Sequence, residues 1–215
     1  MHVTEQLTEQ EIISRILNGE KALYEIIVRR LNPFLYKTGR SYNYNHEDTE
    51  DLMQETFIDA YKNLRLFEGR SNFKTWIIRI MMNNCYRKKE KSSFKNELAR
   101  EINENSRPMF TAADNNTERQ IQKGELGHII EHALAQIPFD YRMVFSLREI
   151  NGLNVSETAE LLHISETNVK VRLNRAKAML RTEMEKKYAV SELFEFNLKY
   201  CDPMVERVMK AIGAL

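Results

Sequence analysis

The run Gly152–Lys177 limits what this chain can fold into more than any other stretch. Asn154 is a good helix N-cap, and Glu157, three residues on, completes a capping-box pair. Ala159 is small where two helices must cross closely. His163 stands at a turn position, and His enters the left-handed region more readily than most residues. Ile164 plugs the space between the helices, and Ser165 caps a second helix whose Val169, Leu173, Ala176 and Leu180 fall on one face. Two capped helices joined by so tight a turn read as a helix-turn-helix. The second helix leaves Lys170, Arg172, Asn174, Arg175 and Lys177 outward.

The rest of the chain reads as helix too. Seven glycines and four prolines in 215 residues are few, and 42% hydrophobic with 29% charged residues suits a soluble, all-α protein. Ile12, Ile13, Ile16 and Leu17, then Leu23, Ile26, Ile27 and Leu31, recur at helical steps over Glu9–Asn32, divided at Asn18-Gly19. A turn at Tyr42–Asn45 precedes a helix capped by Asp48 or Thr49, with Leu52, Phe57, Ala60, Tyr61 and Leu64 inward. A loop over Phe67–Asn72 leads to a helix over Phe73–Lys91, with Phe73, Trp76, Ile77 and Ile80 inward. Residues 94–124 are polar and read as a flexible linker with room for one short helix, its extended reach on the order of 100 Å. Glu125–Ile150 is helical with a break at Pro138, and the helix-turn-helix follows to Lys187. The expected organisation is therefore a domain at 1–93, the linker, a second domain at 125–187 and a short helical tail at 188–215.

The net charge of +1 hides a strong segregation. Residues 47–59 hold six carboxylates and no Lys or Arg. Residues 70–91 hold seven Lys or Arg against one Glu, and residues 166–187 hold seven against three. Phosphates respond to local clusters, so the pattern points to one basic partner and one polyanionic partner. In a nucleic-acid reader, Arg grips guanine edges, Asn pairs with adenine, and Lys or Arg anchors phosphates.

Two stretches in this order, Asp48-Thr49-Glu50-Asp51-Leu52-Met53-Gln54-Glu55-Thr56-Phe57 continuing through Phe67–Ile80, and Gly152–Lys177, closely resemble bacterial sigma factors of the extracytoplasmic-function (ECF) type. The resemblance spans residues 8–187. It implies a factor that binds core RNA polymerase, recognises paired −35 and −10 promoter elements and helps open the DNA, with no catalysis and no cofactor of its own. The clamp helices of the polymerase's largest subunit would dock on Asp48, Asp51, Leu52, Gln54, Glu55 and Phe57. The loop residues Arg70, Ser71 and Asn72, with Lys74, Arg79, Asn83, Arg87 and Lys88, would meet −10 DNA. Arg87 replaces an Asp common in relatives. Lys170, Val171, Asn174 and Arg175 would face the −35 element, with Ser165, Thr167, Asn168, Arg172 and Lys177 beside them. An anti-sigma factor is a further partner many members have.

Competing readings are weaker. A stand-alone helix-turn-helix regulator would need no acidic helix at 48–59. Asp51, Glu55 and Asp59 at i, i+4, i+8 suggest a metal, but carboxylates alone on an outward face more often solvate. His128-Ile129-Ile130-Glu131-His132 fits a zinc-protease pattern, yet reads better as solvent-exposed helix. Cys85 and Cys201 lack CxxC spacing and read as reduced thiols. No apolar run approaches a membrane span and the N-terminus has no signal core, so the expected location is cytoplasmic, without membrane insertion.

Overall fold

The computed structural model describes residues 7–94 and 117–187, and the expectations for residues 95–116 and for the tail at 188–215 lie outside them. Eight α-helices and no strand occur among the described residues. Helix α1 (Glu9–Leu17) opens on a complete Thr8–Glu11 capping box and ends at Asn18-Gly19, where Gly19 takes φ +111°. A 3-10 turn leads into α2 (Tyr24–Ser41). This helix runs through Pro33 and ends nine residues beyond the Asn32 limit read from sequence. An interior proline costs about 3 kcal/mol. Burial of Leu31 and Leu35 on either side of exposed Pro33, each worth about 1.5–3 kcal/mol, offsets that cost.

Asn45 caps α3 (His46–Lys62) by accepting from the Asp48 amide, so the cap lies three residues before the expected Asp48. Asn72 caps α4 (Phe73–Phe94), its Oδ1 accepting from the Lys74 amide at 2.9 Å. Gly39 lets α2 close on both neighbours: a Cβ there would lie 2.7 Å from Thr49 Cγ2 and 2.8 Å from Met81 Cε. Tyr24 ties α2 to α3 by donating to the Phe57 carbonyl at 2.6 Å.

Helix α5 (Thr117–Gln136) begins inside the stretch read as linker. Pro138 precedes α6 (Phe139–Phe145), which continues as a π-turn, Ser146–Ile150. Gly152, at φ +69°, turns the chain into α7 (Val155–Leu162). Asn154 and Glu157 form the expected capping box, and His163 adopts the left-handed conformation at φ 53°, ψ 44°. Ser165 then caps α8 (Glu166–Lys187), accepting from the Asn168 amide. Val144, Ala159 and Val169 form a small core of their own, with Ile164 and Leu173 packed on it.

The two halves are in contact. Leu147, Leu153 and Leu161 join the main core built by α1–α4. A buried Arg40–Glu131 ion pair at 2.6 Å crosses from α2 to α5, and Ser41 Oγ lies 2.5 Å from Ser146 Oγ.

Candidate docking and nucleic-acid surfaces

Helix α8 presents Lys170, Val171, Asn174 and Arg175 as exposed side chains, with Ser165 and Thr167 exposed at its start and Asn168 partly covered. Arg172 and Lys177 are held back toward the preceding helices, Arg172 to Asp140 at 3.3 Å and Lys177 to Glu149 at 3.0 Å. Val169 and Ala176 are fully buried, which fixes the rotation of α8 and hence which side chains point outward. Thr158, buried, turns its hydroxyl onto the Asn154 carbonyl, so a polar side chain sits in the α7 core with its donor satisfied.

Along α4 the basic residues already have partners. Lys74 donates to the Asn151 carbonyl at 3.1 Å and lies over the Phe34 ring. Arg79 pairs with Glu160 at 2.6 Å. Arg87 pairs with Glu55 at 3.2 Å and Asp59 at 3.7 Å, and also bonds Asn84 Oδ1. Lys88 pairs with Asp48 at 2.7 Å. Arg70, in the loop, pairs with Glu68. Asn83 is exposed, as is Asn72 apart from its capping bond; Ser71 is partly covered.

Between the C-terminal part of α3 and α4 runs a groove lined by Asp59, Asn63, Leu66, Trp76, Ile80, Asn83, Asn84, Tyr86 and Arg87. Leu66 and Tyr86 are 69% and 58% exposed, unusual for such large apolar surfaces. Trp76 is half-buried, its ring against Phe67 and Phe73, so it is both core and groove wall. Sequence reasoning placed Trp76 inward and overlooked Leu66, Tyr86 and Asn84. Leu66 and Tyr86 fall outside the apolar stripes, which is the signal that could have found them.

The outer face of α3 carries Asp51, Gln54 and Glu55 exposed, whereas Leu52 and Phe57 are 3% and 7% exposed and belong to the core. Those two set the orientation of the acidic face rather than offer themselves to a partner. A second groove between α2 and α3 is lined by Tyr24, Val28, Met53, Phe57, Ile58 and Tyr61, with Ile58 45% exposed. Ile58 is another residue missed in sequence, an apolar side chain off the stripe.

The His128–His132 pattern is not the freely exposed helix expected of it. Glu131 is buried and bound to Arg40, while His132 is exposed. Burying a carboxylate requires a partner charge, and Arg40 supplies it. Among the described residues there is no cluster of three or more His, Cys, Asp or Glu able to hold a metal, and no helix long and apolar enough to cross a membrane. Cys85 is fully buried, and burial pushes its thiol up to about 12, which keeps it an unreactive core residue.

Comparison with known proteins agrees with this arrangement. Residues 27–94 match the family Sigma-70 region 2, and residues 127–180 match Sigma-70, region 4; together they take in more than half of the chain. The ECF RNA polymerase sigma-E factor of Haemophilus influenzae is 28% identical over 187 residues, covering 85% of this chain and 98% of that protein. The factor of the same name from Escherichia coli K12 is 28% identical over 189 residues, covering 85% and 97%. Among solved structures, the fold is similar to the sigma factor RpoE of Bartonella quintana, determined with the anti-sigma factor NepR (TM-score 0.61, 20% identity, 75% of this chain and 96% of that one). It is similar also to CnrH, determined with the cytosolic domain of CnrY (TM-score 0.59, 21% identity, 82% and 97%).

Proposed function

Since the chain belongs to the Sigma-70 family, as a sigma factor of the extracytoplasmic-function type, we propose a division of labour among α3, α4 and α8. The exposed face of α3 (Asp51, Gln54, Glu55) docks on the clamp helices of core RNA polymerase, with Ile58 and Tyr61 of the adjoining groove extending the contact. Helix α8 enters the major groove at the −35 element through Lys170, Asn174 and Arg175. The 67–72 loop and α4 meet the −10 element. The protein performs no chemistry itself and acts in the cytoplasm, where its polymerase is.

The single observation that carries this reading is one chain bearing both a capped, correctly rotated reader helix and an exposed acidic helix face. The α3–α4 groove supports the −10 role on energetic grounds. Extruding a base costs a few kcal/mol. Stacking it on aromatic surface such as Trp76 or Tyr86 returns about 1–3 kcal/mol, so one captured base is near balance and phosphate contacts must tip it. The exposed Asn83 supplies a donor and an acceptor for the base edge.

Binding to sigma-free core polymerase tests the assignment. Wild-type protein is expected to co-elute with core, and the double variant Asp51→Lys, Gln54→Lys to bind at least tenfold more weakly with helicity unchanged. Replacing Lys170 and Arg175 with Ala is expected to leave core binding intact. A protein that binds DNA by itself and never core is a stand-alone regulator, and that result refutes the proposal.

A further inference from the structure

We infer that Val171 is a thymine reader: its side chain packs against the 5-methyl group of one thymine in the major groove of the −35 element and sets the preferred base there. This rests on the sigma-factor reading above and on the −35 role given there to α8. The starting point is an exposed apolar residue. Val171 is 42% exposed on a helix that carries seven Lys or Arg. A lone apolar side chain needs no explanation on an ordinary surface, but the place of this one is not ordinary. Val169 and Ala176 are fully buried; at about 100° per residue, Val171 stands about 200° round from the first and about 140° from the second. It therefore lies at the middle of the outward face.

The charges of α8 flank that middle line and do not occupy it. Thr167, four residues before Val171, and Asn174, three after, are exposed and uncharged, and Ala178 continues the line. Lys170 stands on one flank and Arg175 on the other, where it reaches the Tyr141 hydroxyl at 3.5 Å. Arg172 and Lys177 turn back to Asp140 at 3.3 Å and Glu149 at 3.0 Å. A helix about 10–12 Å across fills a major groove about 12 Å wide, so its outermost line meets base edges and its flanks meet the two backbones. A helix that bound phosphates alone would have no use for an uncharged line at the front. Val171 also falls in the second turn of α8, and reader helices contact base edges through their N-terminal residues.

Valine can neither donate nor accept a hydrogen bond. Set against a purine or a cytosine, it would cover polar groups of the base edge and leave them without partners, which costs free energy. Thymine is the base that offers an apolar group in the major groove, its C5-methyl. The contact thus favours thymine twice, by the apolar surface it buries and by the polar groups it does not strand. In a helix the β-branch holds valine in one strongly preferred rotamer, so little side-chain freedom is lost when the contact forms.

Replacing the methyl group tests this. Genomic fragments that the protein transcribes with core give mapped starts, and hence the −35 stretch of each. Each thymine of that stretch, on either strand, is exchanged in turn for deoxyuridine, which removes the 5-methyl group and nothing else. At one position the exchange is expected to weaken binding by wild-type holoenzyme about fourfold, the scale of burying one methyl group. Holoenzyme carrying Val171→Ser is expected to bind the unmodified fragment as weakly as wild type binds the exchanged one, and to lose nothing more on exchange. Holoenzyme carrying Asn174→Ala is expected to keep the fourfold response at that position, which separates the methyl contact from a general loosening of the reader helix. A −35 stretch with no such sensitive thymine, or a Val171→Ser protein that responds to deoxyuridine as wild type does, overturns the inference. Wild-type protein that gives no defined starts with core overturns the sigma reading itself, and does so before any thymine is changed.

Discussion

Helices α4 and α8 are both 22 residues long, both basic and both assigned to DNA, yet their charges are held differently. On α8, Lys170 and Asn174 stand open, Arg175 is exposed but reaches the Tyr141 hydroxyl at 3.5 Å, and Arg172 and Lys177 lean back on acids of their own half. On α4, Lys74 and Arg79 are engaged by the other half of the molecule, and Arg87 and Lys88 by the carboxylates of α3. The proposed −35 reader is presented as folded, whereas the basic residues of the proposed −10 surface are already paired. A charge cluster in sequence says that a surface is possible; tertiary neighbours decide whether it is available.

The comparison breaks most severely at the seam. Glu131→Ala strands Arg40 in the interior, a loss of about 3–5 kcal/mol. Because Arg40 regains water if the halves part, fluorescence energy transfer between dyes on α4 and α8 is expected to drop while circular dichroism holds. Unchanged transfer would mean the seam does not hold the halves together. Gly39→Ala strikes only the α1–α4 half: its Cβ has no room beside Thr49 and Met81, and overpacking costs about 1–3 kcal/mol in urea unfolding. Equal loss of α8 protection in hydrogen exchange would show that the two halves unfold as one. Asn154→Ala removes the α7 cap, costing about 1 kcal/mol. The backbone amide of residue 154, from which the Glu157 carboxylate accepts, is kept, so only the start of α7 loosens and −35 binding should weaken slightly. His163→Gly is the smallest change. Relief at φ 53° exceeds the entropic cost of glycine by only ~0.5 kcal/mol, a slight rise in melting temperature of the helix-turn-helix half alone.

Much of the helix-turn-helix was legible because its determinants are local. Capping by Asn154, Glu157 and Ser165, the left-handed His163 and the buried Val169–Ala176 face depend on residues a few positions apart. Local patterning also located α1, α3, α4 and the break at Pro138. What it missed depends on distant neighbours. Helix α2 passes Pro33 because Leu35 and Thr38 are needed in the core, and propensity at one position yields to packing. The bonds Arg87–Glu55, Arg79–Glu160 and Arg40–Glu131 join residues 32, 81 and 91 positions apart, which no periodicity encodes. The grooves escaped for a similar reason: Ile58, Leu66 and Tyr86 matter through what α2, α3 and α4 leave uncovered between them.

Transcription by a reconstituted polymerase tests the central claim most directly. Pure protein, sigma-free core polymerase and genomic promoter fragments are expected to yield transcripts with defined starts. The starts should disappear with Asp51→Lys, Gln54→Lys, and separately with Lys170→Ala, Arg175→Ala. Transcripts that persist with both pairs changed, or an absence of defined starts from wild-type protein that does bind core, would contradict the account.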